Sequence, residues 1–120
     1  MSILNSGALS GGARLFSKEN LDETVVAVKT SQGRVYSIQV VNTQGAVTFI
    51  QIFDAATGSV TLGTTTPDMQ MTLAATSGYI NVPLPPQGVQ FDTAISIAAS
   101  TAASGGSGSD DGVDVYIQYA

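Results

Sequence analysis

From Glu23 to Ala120 the apolar and polar positions alternate with a period of two over short runs. Tyr36, Ile38 and Val40 are separated by Ser37 and Gln39, and Met69, Met71 and Leu73 alternate with Asp68, Gln70 and Thr72. Ile95, Ile97 and Ala99 are interleaved with Ser96 and Ala98, and Val113, Val115, Ile117 and Tyr119 with Asp114, Tyr116 and Gln118. Val25, Val26 and Val28 open the series, and Ile80 and Val82 form a short pair before Pro83. Successive side chains of a strand point to opposite faces, so this alternation with β-branched enrichment predicts strands buried on one side. Turn formers punctuate the runs at Ser31-Gln32-Gly33, Thr43-Gln44-Gly45, Thr57-Gly58, Thr66-Pro67-Asp68, Ser77-Gly78 and Pro83 to Gly88. Pro85-Pro86 is excluded from any central strand. No window carries a helical period, and the chain is expected to be all-β, a sandwich or barrel.

One run is apolar on both sides. In Val47 to Asp54, Ile50 and Ile52 share one face while Val47, Phe49 and Phe53 share the other. Such a strand is enclosed by its own chain or covered from outside. Cover from outside makes Phe49 and Phe53 a subunit interface; the alternative is a local loop folded over them. Tyr116, out of phase with Val115 and Ile117, is the best exposed aromatic on this pattern, whereas Tyr36 and Tyr119 run in phase with the core.

The first 22 residues follow neither period. Gly7, Gly11 and Gly12 sit among small residues, followed by the charge-bearing stretch Arg14 to Glu23, with Ile3, Leu4, Leu9, Leu15, Phe16 and Leu21 scattered through. They are expected to form an extended arm outside the core, with residues 23–120 as the sandwich domain. A frayed start is the alternative, but that many apolar residues suit an arm docked on a partner. Its removal is then expected to leave a folded domain. Ala98 to Gly112, rich in Ser, Gly and Ala, reads as a long flexible loop joining the last two strands.

Composition narrows the chemistry. The 120 residues contain no Cys, His or Trp, and four Lys/Arg against nine Asp/Glu give a net charge of −5. Thiol chemistry, disulfides, Ser–His–Asp catalysis and Cys/His metal sites are excluded. With only Arg14, Lys18, Lys29 and Arg34 to meet phosphates, no nucleic-acid partner is expected. Charged residues make up 11% of the chain, against about a quarter in an average domain. An apolar content of 43% rules out general disorder, so uncharged polar residues must wet the surface, as suits a subunit largely covered by neighbours. Neither a membrane span nor a signal peptide is expected, because Val35–Phe53 is too polar and Met1–Gly12 has no basic start or apolar stretch. Synthesis in a cytoplasm follows.

No catalytic or cofactor site emerges. Asp110, Asp111 and Asp114 form the tightest acidic cluster but lack EF-hand spacing, and read most simply as a solubilising turn. Glycoside hydrolysis needs two acids about 5–10 Å apart. Asp54, Asp68 and Asp92 each lie beside turns, with nothing in the sequence to bring two together. Gly105, Gly106 and Gly108 lack the Lys-Ser/Thr of a phosphate loop. The chain is not expected to be an enzyme.

Several short segments in order carry a family likeness: Tyr36-Ser-Ile-Gln-Val-Val-Asn42, Phe49-Ile-Gln-Ile-Phe-Asp54, Gly63-Thr-Thr-Thr-Pro67, Val82-Pro-Leu-Pro-Pro-Gln-Gly88-Val-Gln-Phe91, Ala94-Ile-Ser-Ile-Ala98 and Asp114-Val-Tyr-Ile-Gln-Tyr119. This order, over about Val35 to Tyr119, resembles small β-sandwich capsid decoration (cement) proteins of tailed bacteriophages. The resemblance implies an antiparallel β-sandwich, jelly-roll-like or immunoglobulin-like, commonly a homotrimer, bound to the major capsid protein on the outer surface of the virion. It implies that the N-terminal arm clips neighbouring capsomers, with Ile3, Leu4, Leu9, Arg14, Leu15, Phe16 and Leu21 as contact residues and Phe49, Phe53 and Tyr116 at the subunit interface. No catalytic residue, metal or cofactor comes with it, nor any nucleic-acid or membrane partner. A tail or fibre accessory protein binding a host surface glycan through Tyr116 is the alternative.

Overall fold

The computed structural model describes residues 13–101 and 113–120. There the alternation becomes β1 (Arg14–Lys18), β2 (Val26–Lys29), β3 (Gly33–Asn42), β4 (Thr48–Phe53), β5 (Met69–Leu73), β6 (Gly78–Val82), β7 (Val89–Phe91), β8 (Ile95–Ser100) and β9 (Val113–Tyr119), with one 3-10 turn at Thr57–Ser59. Pairing is antiparallel throughout and nested: β1 with β9, β2 with β8, β3 with β6 and β7, β4 with β5. The chain is thus laid out as one long ribbon whose far end is the β4–β5 connection. Two lateral pairings, β3 with β9 and β4 with β8, divide the ribbon into two sheets. The first has the order β1-β9-β3-β6, with β7 beside the start of β3, and the second has the order β2-β8-β4-β5. The expected all-β sandwich is the fold.

Register explains which residues form the core. In the first sheet Ile38 lies opposite Ile117 and Val82, and Val40 opposite Val115 and Ile80. In the second, Ile52 lies opposite Ile97 and Met69, and Ile50 opposite Ala99 and Met71. These inward rows meet in one apolar cluster, closed by Leu21, Val35, Leu73, Phe91 and Val113. A slip of one residue in any of these strands would turn its apolar row outward, so burial fixes the register.

Three segments depart from the sequence expectation. Arg14–Lys18 is not a free arm: it is an edge strand paired along its length with β9, Phe16 opposite Ile117. Beyond it, Leu21 is fully buried in the core, and its N–H donates to the Val113 carbonyl at 2.7 Å. The Asp22 carbonyl accepts from the Ala99 N–H at 2.8 Å. Residues 21 and 22 therefore bond to β9 of one sheet and β8 of the other, and the domain begins before Glu23. The second departure is β7, three residues that follow the Pro85-Pro86 turn and pair with the start of β3. Ala98 to Ser100 likewise belong to β8, fully buried, and residues 102–112 of the predicted Ser/Gly loop lie outside the described residues.

Candidate functional site

The expected contact residues divide among four places. Ile3, Leu4 and Leu9 lie outside the described residues. Arg14, Leu15 and Phe16 belong to β1, where Leu15 is 67% exposed and Phe16 packs against the core. Leu21 is core and cannot touch a partner. Phe49, Phe53 and Tyr116, expected to share one interface, are carried by different sheets: the phenylalanines by β4, the tyrosine by β9.

Phe53 also corrects the expectation at its own position. Its neighbours Ile50 and Ile52 face the central cluster, so Phe53, Gln51 and Phe49 point away from it. Yet Phe53 is completely buried within the single chain, as are Ser96, Ala98 and Ser100 on the same side of β8. The segment leaving β4 is tied back here, the Ser96 hydroxyl donating to the Ala55 carbonyl at 2.6 Å. The polar groups are satisfied locally too, Gln51 Nε2 donating to Gln70 Oε1 at 2.8 Å. Cover by its own chain is therefore what the structure shows for Phe53, and Phe49 is half-buried beside it.

The outward face of the first sheet is different. Its residues stand in cross-strand rows: Leu15, Gln118 and Ser37; then Ser17, Tyr116, Gln39 and Asn81; then Asp114, Val41 and Tyr79. Asp114, at one margin, is the only charged residue in these rows, and its Oδ1 is engaged by the Asn20 N–H at 3.0 Å. Ser37 donates to Gln118 across the strands at 3.0 Å. Tyr116 is half-buried here, and Tyr79, which the alternation did not single out, is the more exposed ring at 62%. The result is a charge-poor plateau four strands wide, with two tyrosines, Asp114 at its margin and no Lys, Arg or Glu in its rows. Tyrosine-bearing, charge-poor faces are the composition of protein contact surfaces.

Three acids that the sequence leaves apart meet at one end of the sandwich. The Asp54 carboxylate accepts from the backbone N–H groups of Asp92 at 3.0 Å, Thr93 at 2.7 Å and Ala94 at 3.3 Å. The Asp54 N–H in turn donates to Asp68 Oδ2 at 2.7 Å. Partial burial pushes the Asp54 carboxyl up, but the three N–H donors outweigh it and hold its pKa below the ordinary carboxylate value. This carboxylate pins the β7–β8 turn to the end of β4, a structural task. Among the described residues no three acidic side chains are placed to hold a metal ion.

The sign of the pH effect follows. A carboxyl whose folded pKa is depressed adds stability that is fully present above its unfolded pKa, about 3.9, and lost as pH falls through the folded value. Urea midpoints measured from about pH 6 down to about pH 2 are expected to fall in that acid range, and Asp54→Asn is expected to flatten the fall while lowering the midpoint at neutral pH. An identical acid profile in the variant would remove Asp54 from this role.

No family model, curated protein or solved structure matches the chain. No described helix is long and apolar enough to cross a membrane.

Proposed function

We propose that this chain is a capsid decoration protein of a tailed bacteriophage, a non-catalytic cement that docks on the outer surface of the major capsid shell. The observation that carries the reading is the charge-poor, tyrosine-bearing plateau on the outer face of the first sheet. A small domain in water ordinarily spreads charge over such a face, and its absence suits a surface that spends its life covered. The nested pairing of β1 with β9 through β4 with β5 favours the jelly-roll alternative of the sandwich over the immunoglobulin-like one, in keeping with the resemblance described above.

The mechanism is mechanical. A domain bound across two capsid subunits must be released before they separate, so each bound copy raises the barrier to rupture. Binding to assembled shell and not to free subunits stabilises the shell by mass action. Assembly into a homotrimer would multiply individually weak contacts through effective concentration. With no histidine and few groups that titrate between about pH 5 and 9, such contacts would vary little with pH in that range.

The test is co-sedimentation with shells of the major capsid protein. Gln39→Glu and Tyr79→Asp place charge on the plateau at surface positions, where folding stability should move by no more than about 0.5 kcal/mol. Together they are expected to weaken shell binding by at least about tenfold, because a buried unpaired charge is costly. Undiminished binding by the folded double variant would show that the plateau is not the docking face.

A further inference from the structure

At the start of β3, away from the plateau's centre, lies an open cleft of about 300 Å³ lined by Gln32, Arg34, Tyr36, Gln90, Phe91 and Ala120. We propose that it binds a single neutral pyranose ring, the end group or a side branch of a saccharide.

Three local backbone features build the cleft. The register between β3 and β9 shifts between Val35 and Ser37. This bulge leaves Val35 fully buried and takes Tyr36 out of phase with Ile38 and Val40, which is why the ring that the alternation places in the core lines the cleft instead. Re-aiming one side chain is what bulges do, and they concentrate beside binding sites. The second feature is Gly88, at φ 79°, where a Cβ would stand 2.9 Å from Cδ1 and Cε1 of Tyr36. Only glycine both adopts that conformation easily and lets the ring approach the backbone this closely. The third is Gly33, where a Cβ would meet the Ala120 carbonyl oxygen at 2.5 Å and Lys29 Cδ at 2.8 Å.

The polar lining is held in place before any ligand arrives. Arg34 Nη2 donates to Gln90 Oε1 at 2.9 Å and Nη1 to the Gln87 carbonyl at 3.2 Å. Gln90 Nε2 donates onward to Asp92 Oδ1 at 2.9 Å. The guanidinium keeps donors beyond those two, and the Gln32 amide adds a donor and an acceptor at the rim. A ring of aromatic carbon beside fixed planar donors and acceptors matches the two sides of a pyranose, an apolar face of C–H groups and an equator of hydroxyls. Asp92 lies on the same chain of hydrogen bonds as Arg34 and offsets its charge, so the cleft can meet the hydroxyls of a neutral ligand without an ion pair. The volume stands at the low end for ligand sites, suited to one ring. Along β3, Arg34 is roughly 16 Å and Tyr36 roughly 10 Å from Gln39, so the cleft adjoins the margin of the plateau and not its centre. The inference does not depend on capsid docking.

The experiment titrates the ¹⁵N-labelled full chain with methyl glycosides of glucose, galactose, mannose and N-acetylglucosamine, and separately with glucuronate and sialic acid. At least one neutral glycoside is expected to bind with a Kd on the order of 1 mM, shifting the amides of residues 32–36 and 88–91. Gln32→Ala and Arg34→Met are expected to weaken it about tenfold, leaving co-sedimentation with capsid shells unchanged. Because the shifts are read on the unaltered chain, the result stands even if a variant fails to fold. No binding by any neutral sugar, binding of the acids alone, or shifts centred on Tyr116 or Tyr79 would each overturn the assignment.

Discussion

A chain that begins at Glu23 is expected to lose its cooperative fold. The truncation removes β1, the whole of one edge of the first sheet, and with it Leu21, fully buried between the sheets. It also removes the Leu21 N–H and Asp22 carbonyl bonds that tie this segment to β9 and β8. The single substitution Leu21→Ala isolates the packing part and should cost about 3 kcal/mol, since the cavity it leaves is lined by strands that cannot collapse freely. Total stability for a domain of this size is about 5–15 kcal/mol, so the full truncation approaches or exceeds what is available. Urea unfolding of the three proteins gives the comparison. An unchanged midpoint after removal of residues 1–22 would return that segment to the status of a dispensable arm.

Phe53→Ala is expected to be the most damaging single substitution on β4, destabilising the isolated chain by about 4 kcal/mol. The reason is that Phe53 is completely buried without any partner molecule, in a layer outside the central cluster. If Phe53 lay at a subunit interface, the same change would spare the monomer and shift only its association. Thermal unfolding of the variant across a wide range of protein concentration separates the two. A large loss independent of concentration supports internal cover, and a loss confined to the concentration-dependent association would contradict it. Tyr79→Ala is the control, because that ring is 62% exposed and its removal should move stability by no more than about 0.5 kcal/mol.

These two residues also show how far the pattern of the chain reaches. Where a strand packs one face on the core and turns the other to water, alternation locates it closely: Val113–Tyr119 is β9 throughout, and the two-sided run expected within Val47–Asp54 is β4, Thr48–Phe53. β1 escaped because it is an edge strand whose outward Leu15 is exposed, so Leu15 and Phe16 side by side show no period. β7 is too short for a period to register. Tyr36 was assigned to the core because a bulge inserts one residue into the count, and alternation cannot see a bulge. Phe53 was legible as two-sided but not as self-covered, since cover depends on where the Asp54–Asp68 connection returns. The meeting of Asp54, Asp68 and Asp92 is a tertiary fact: it follows from the β4–β5 and β4–β8 pairings, which the spacing of the turns along the chain does not show. The charge-poor plateau was half legible. Low charge was plain in the composition, but only the register places its uncharged residues together on one face.

The number of copies of this chain per copy of the major capsid protein in purified virions decides the proposed cement role. A near-stoichiometric ratio, lost together with shell stability when Gln39→Glu and Tyr79→Asp are introduced, is the predicted result. A few copies per particle, or none, would contradict a cement role and leave a domain that acts elsewhere.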